Sequence, residues 1–268
     1  MKNGKVMTTN GELYFESTGK GEPLILIHAG FSDRRDWQHQ VADFAKKFNV
    51  ITYDQRGSGN SSMPATAFSP ADDLHALMVY LNIERAILVG HSIGGTIALD
   101  FALQYPQMAS ALILVASGLN GYIWSQEYQE WMKGIWESLQ PEEMMKQALS
   151  APFYAVAMSE PNIKSAIETI TKESIQKILT WETFNVHDVQ WFFPDHLLKL
   201  KELKIPGLVM YGDKDSQDIK KIAQIINETL PKVKVVQIEN VDHLLNFEKP
   251  TELGNLVFNF LSETGVLI

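Results

Sequence analysis

The tightest constraint in this 268-residue chain lies at Ala86-Ile-Leu-Val-Gly-His-Ser-Ile-Gly-Gly95. A short apolar run leads into Gly90-His91-Ser92-Ile93-Gly94, after which Ala98, Phe101, Ala102 and Tyr105 recur at helical spacing until Pro106. A strand must therefore turn sharply into a helix at Ser92. Such a turn puts its central residue into a strained backbone conformation that small neighbours tolerate. The serine side chain then stands clear of the strand's carboxyl end. The next backbone N–H, from Ile93, sits at a helix N-terminus, where the dipole favours negative charge. Glycines used only for tight packing would give the same local string; the strand before it and the helix after it favour a nucleophile.

The rest of the chain supplies a fold around that turn. Apolar runs at Leu24–Ile27, Val50–Tyr53, Ala86–Gly90, Ala111–Ala116 and Gly207–Gly212 read as buried parallel strands, and Val233–Ile238 as a final strand. Helical stripes lie between them at Leu74, Leu77, Met78 and Leu81, at Ile219, Ile222, Ala223 and Ile226, and from Leu253 to Leu261. Ser69-Pro70 supplies an N-cap and first-turn proline for the first of these. Strands alternating with helices predict an α/β domain with a mostly parallel sheet flanked by helices.

From about Asn120 to Asp195 the rhythm breaks. Tyr128, Trp131, Met132, Ile135, Trp136 and Leu139 form one helical stripe, and Ile163, Ile167 and Ile170 mark a second helix. Trp124, Trp131, Trp136, Trp181 and Trp191 all fall here. The expected organisation is a core domain of residues 1–119 and 196–268 with a helical cap, 120–195, inserted in it. The aromatic residues predict an apolar substrate pocket lined by Phe31, Trp124, Trp131 and Trp136. Trp131, Met132 and Trp136 at helical spacing would equally serve to pack the cap on the core.

A serine hydroxyl needs a base. Of the seven histidines, His243 follows the last strand and so opens at the carboxyl edge, on the same rim as Ser92. Surface or capping roles are the expectation for His39, His75, His187 and His196, and His91 lies too close in sequence to face the serine. Gly212-Asp213-Lys214-Asp215 offers the orienting carboxylate; spacing favours Asp215, with Asp213, Asp218 and Asp242 as alternatives. At His28-Ala29-Gly30-Phe31 a strand runs into a small-residue turn whose backbone N–H groups would partner that of Ile93 at an oxyanion. Gly30 is the expected second donor, with Phe31 the near alternative, and His28 is expected to shape the loop.

The net charge of −9 argues against a nucleic-acid surface. The absence of cysteine excludes disulfides, thiolate metal sites and a cysteine nucleophile. No histidine or carboxylate spacing points to a metal, and no apolar stretch has the length of a signal peptide or membrane span. A cytoplasmic monomer or small homo-oligomer is the expectation.

In order, His28-Ala-Gly30 with Trp37, Asp54-Gln-Arg56-Gly57-Ser-Gly59-Asn-Ser61, Gly90-His-Ser92-Ile-Gly94, and Gly212-Asp-Lys-Asp215 followed by His243 resemble the α/β-hydrolase superfamily over nearly the whole chain. The resemblance is to lid-bearing serine hydrolases such as carboxylesterases and 3-oxoadipate enol-lactonases. It implies the α/β-hydrolase fold, a Ser92–His243–Asp215 triad, a cap between the core halves and no cofactor. It also implies that the Asp54–Arg56 turn is structural. The chain departs from many relatives at Asp242, where they carry glycine and where a carboxylate is expected to raise the His243 pKa or compete for its hydrogen bond, and at Ala29. Serine at 92 excludes the chemistries of this fold that use an aspartate nucleophile. Hydrolysis of a small carboxylic ester or lactone through an acyl-serine is the leading expectation. A slow-turnover small-molecule receptor, a C–C bond hydrolase and a perhydrolase are the alternatives.

Overall fold

The computed structural model describes residues 2–138, 140–180, 189 and 196–266. Its centre is one eight-stranded sheet: β1 (Lys2–Thr8), β2 (Gly11–Gly19), β3 (Glu22–Ile27), β4 (Phe48–Tyr53), β5 (Ala86–His91), β6 (Ala109–Val115), β7 (Gly207–Gly212) and β8 (Val233–Ile238). The spatial order is β1-β2-β4-β3-β5-β6-β7-β8. Strands β3 to β8 pair in parallel, whereas β1 and β2 form an antiparallel hairpin set against β4.

The continuous apolar runs became the central strands for the expected reason. Ala86 to Val89 and Leu24 to Ile27 are wholly buried, because helices cover both faces of the sheet. The helices are α1 (Val41–Phe44), α2 (Pro70–Tyr80), α3 (Ile93–Gln104), α4 (Gln126–Glu137), α5 (Pro141–Ala148), α6 (Ala155–Ser159), α7 (Pro161–Leu179), α8 (His196–Lys199), α9 (Gln217–Thr229), α10 (Leu245–Glu248) and α11 (Pro250–Glu263). The Ser69 hydroxyl caps α2 by accepting from the Asp72 N–H, with Pro70 in the first turn.

Helices α4 to α7 all fall between β6 and β7. The stripe of Tyr128, Trp131, Met132, Ile135 and Trp136 lies on α4, while Leu139, Trp181 and Trp191 are outside the described residues. This inserted segment has its own small apolar clusters, one of them built on Ile135, Met144, Ala148 and Ile175. It meets the sheet side through apolar contacts, Ala157, Ile167 and Ile170 clustering with Leu244 and Phe247, and through polar ones. Lys177 Nζ donates to the carbonyls of Ser58, Gly59 and Ser61, and Arg35 pairs with Glu173 at 2.6 Å.

Parallel register brings the chemistry-bearing loops to one edge. Ile27 is in register with Gly90, His91 with Val115, and Gly212 with Ile238. His28, Ser92, Asp215 and His243 all follow those carboxyl ends, where ligands bind in open α/β sheets.

Candidate active site

Ser92 has φ +54° and ψ −116°, a left-handed conformation rare outside glycine. Its neighbours explain how the turn is held. A Cβ on Gly90 would come within 2.3 Å of the Gly94 carbonyl oxygen, and one on Gly94 within 2.2 Å of the Ile27 oxygen. Both glycines are therefore required by close backbone approach. The Ser92 N–H donates to Val115 O at 2.9 Å, and its carbonyl accepts from Gly95 and Gly118. The turn is thus clamped on the β5–β6 pair with its side chain bordering a cavity.

That cavity measures about 300 Å³. Its floor is His28 to Phe31 with Ser92 and Ile93, and one wall is Gln55 to Ser58 with Phe68 and Pro70. Tyr128, Trp131, Met132 and Trp136 of α4, with Tyr154, close it from the inserted segment. Phe31, Trp131 and Trp136 thus line it. Trp124 does not: it stacks on Tyr128, centroids 4.0 Å apart, and packs against the main core. Trp131 also donates Nε1–H to Gln147 O at 2.9 Å, so it packs the inserted helices together while facing the cavity.

His243 is nearly buried, and its Nδ1 lies 3.0 and 3.2 Å from the two oxygens of Asp215. The other carboxylates are engaged elsewhere. Asp213 takes Lys214 and the Val241 N–H, which hold its carboxyl below the usual range. Asp218 accepts from Tyr122 Oη, Ser125 Oγ and the Ser125 N–H. Asp242 accepts from the Val156 and Ala157 N–H groups at 2.7 and 3.2 Å, so it anchors α6 rather than bonding the His243 ring. Among the described residues Ser92 Oγ and His243 share no hydrogen bond. Catalytic hydrogen bonds often tighten only in the substrate complex.

At the end of β3, the Ala29 N–H donates to Asp36 Oδ2 at 3.0 Å. The N–H groups of Gly30, Phe31 and Ile93 donate to nothing among the described residues. The left-handed residue in this turn is Phe31, φ +51°. A Cβ on Gly30 would meet only Ile93 Cγ2, at 3.9 Å, so space does not demand glycine there. His28 Nε2 accepts from the Gln55 N–H at 2.9 Å, which puts the ring proton on Nδ1, donated to Ala29 O at 2.7 Å. Its ring is committed to the shape of the loop.

Asp54 and Arg56 do not pair with each other. Asp54 bonds Arg34, and Arg56 Nε bonds Asp73 at 3.0 Å. The same stretch nevertheless lines the cavity through Gln55, Arg56, Gly57 and Ser58. Tyr154 and Phe153 were not singled out by sequence, and Tyr128 was read only as part of the helical stripe, not of the pocket. The rings of Phe153 and Tyr154 each lie 5.6 Å from that of His243. Burial pushes the Tyr128 hydroxyl up to about 12. Tyr154 lies two residues after Pro152 in a segment without strong periodicity, so only the folded chain shows its place.

Residues 22–250 match the family model described as alpha/beta hydrolase fold. Lipase 3 of a Moraxella species is 27% identical over 252 residues, covering 88% of this chain and 76% of the lipase. An uncharacterized protein of Mycobacterium tuberculosis is 38% identical over 107 residues, 39% of this chain and 31% of that protein. The match therefore spans only about a third of that relative. The solved structure of an N-acyl homoserine lactone degrading enzyme superposes with a TM-score of 0.79 at 25% identity, covering 96% of this chain and 100% of the other.

Proposed function

The chain belongs to the α/β-hydrolase fold family, and on that premise we propose that it is a serine hydrolase cleaving an uncharged ester or lactone through an acyl-serine. Ser92 Oγ attacks the carbonyl carbon while His243 Nε2 takes its proton. Asp215 holds His243 in the tautomer that leaves Nε2 free to accept. The N–H groups of Ile93 and Gly30, with Phe31 the adjacent alternative, receive the negative oxygen. His243 then gives its proton to the departing alkoxide, and activates water to release the acid. The helices between β6 and β7 act as a lid over the substrate.

The observation that carries this reading is the strained Ser92 turn at the cavity floor, beside N–H groups that bond nothing else among the described residues. Strain of this kind persists only where surroundings enforce it, and it concentrates at functional sites. The lipase and the lactone-degrading enzyme among the similar proteins support ester-type bonds as the target.

The wall chemistry supports an uncharged acyl group. The guanidinium of Arg56 is bound to Asp73 and to Thr9 O, and the rest of the described wall is largely aromatic and aliphatic. Among the described residues of the wall, a substrate carboxylate would find no cation that is not already paired, at a desolvation cost.

Purified protein incubated with a fluorophosphonate is expected to be labelled at Ser92 and to turn over p-nitrophenyl hexanoate. Ser92→Ala should lose both, with turnover falling by about 10⁶. A nitrophenyl monoester of adipate should react far more slowly than the hexanoate. Labelling elsewhere, or an active Ser92→Ala protein, would refute the nucleophile.

A further inference from the structure

His91 and Asp36 form a buried pair beneath the cavity floor that the acyl-transfer steps do not use. We propose that this pair is a positioning device, locking the oxyanion turn, the nucleophile and the general-base loop to one another. The proposal rests on the Ser92–His243–Asp215 reading.

The two residues come from distant parts of the chain. His91 ends β5, immediately before Ser92, and Asp36 lies in the short 3-10 turn Arg34–Trp37. Neither is reached by solvent to any useful degree, and the Trp37 ring stands edge-on to the imidazole at 6.3 Å. His91 Nε2 is 2.9 Å from the backbone oxygen of His243. A carbonyl oxygen can only accept, so Nε2 carries a hydrogen. On the other side, Nδ1 is 2.9 Å from Asp36 Oδ2. That oxygen already accepts the Ala29 N–H, while Oδ1 accepts from Asn246 Nδ2 at 3.0 Å. A carboxyl surrounded by donors is held ionised, and Nδ1 then donates as well.

The pair is therefore an imidazolium bound to a carboxylate. Burial opposes charge on both groups, yet the attraction between them prevails. It holds the Asp36 carboxyl below its ordinary range and His91 above its own.

The bonds of this pair end on the residues that matter. Ala29 precedes Gly30 in the oxyanion turn, His91 precedes Ser92, and the third contact is the peptide of His243 itself. Asn246 closes the frame by donating to Asp36 O as well, and its own carbonyl accepts from Gln40 Nε2 at 2.7 Å. Apolar side chains would fill such a space without desolvating two charges. What they would not do is fix the relative positions of those backbones, each of which must be correct to a fraction of an ångström for acyl transfer.

Two substitutions divide the device. His91→Asn keeps a donor near the Nδ1 position, facing Asp36, and loses the bond to His243 O. His91→Gln keeps a donor near the Nε2 position and releases Asp36 and Ala29. Both should lower kcat by roughly 10- to 100-fold, while KM stays within about threefold.

The losses should differ in kind. In His91→Asn the loosened His243 must still protonate an alkoxide, so an ethyl ester should suffer more than the nitrophenyl ester of the same acid. In His91→Gln the oxyanion turn is displaced, and both esters should suffer alike. A lower melting temperature with kcat unchanged at 15 °C would overturn the proposal, as would identical ester profiles in the two variants. Should neither fold, Asn246→Ser removes one Asp36 donor without touching His91. A several-fold loss of kcat is expected there too, and an unchanged kcat overturns the proposal. A wild-type protein that is neither labelled at Ser92 nor active on either ester refutes the triad reading itself, and this inference with it.

Discussion

Asp242 adjoins His243 in sequence and turns its carboxylate away from the ring, onto the N–H groups of Val156 and Ala157. Asp213, Asp215, Asp218 and Asp242 lie shortly after β7 and β8, and each meets a different partner. Asp215 alone among them bonds His243 Nδ1. If it orients the histidine, Asp215→Asn should reverse the tautomer and reduce kcat by about 10⁴ with little change in KM. Asp213→Asn should leave kcat within a few-fold of wild type, because Asp213 serves the turn through Lys214 and Val241. Stopped-flow nitrophenolate release would measure both; equal losses would reject Asp215 as the orienting group. Spacing alone left this choice open, because a two-residue difference in a loop does not say which side chain faces the last strand.

At the scale of elements, what could be read depended on how completely each one is buried. The central strands and the helices α2, α3, α9 and α11 announced themselves through continuous runs or a 3.6-residue stripe. The β1–β2 hairpin did not. Its strands lie at one edge of the sheet and bury few side chains, chiefly Val6, Leu13 and Phe15, among lysine, glutamate and threonine. With one face exposed and the edge polar, no apolar run forms. The strong stripe on α4 was legible, but periodicity does not separate a residue facing the cavity from one facing another helix. Trp124 illustrates the difference.

Helix α7 adds a feature no pattern reveals. Lys177 reaches from it to the carbonyls of Ser58, Gly59 and Ser61, and burial lowers the pKa of its ammonium. Lys177→Met keeps the aliphatic stem and deletes these bonds. Faster amide exchange across Pro161–Leu179 is expected, together with a KM raised several-fold and kcat less affected. Unaltered exchange in this helix would show that Lys177 is not what holds the inserted segment down.

The molecule as a whole carries a formal charge of −9, so its folded state works against its own repulsion as pH rises. One carboxyl adds to this in a specific way. Glu248 accepts the Asp242 N–H beside the Asp242 carboxylate. Burial first, and then its interaction with Asp242, push its pKa up from an ordinary 4.5 to about 9. Between those values the folded chain holds a proton that the unfolded chain has lost. Stability therefore falls with pH across this window. The contribution is complete below about pH 4.5 and is lost as pH climbs through about 9. Glu248→Gln keeps an oxygen to accept the Asp242 N–H and carries no charge at any pH. The general repulsion among the remaining charges is nearly common to both proteins and largely cancels in their difference. Melting temperatures of the two proteins, taken from pH 5 to pH 9, should therefore diverge steadily in favour of the glutamine variant. Parallel curves across that range would mean that Glu248 titrates alike in the folded and unfolded chains.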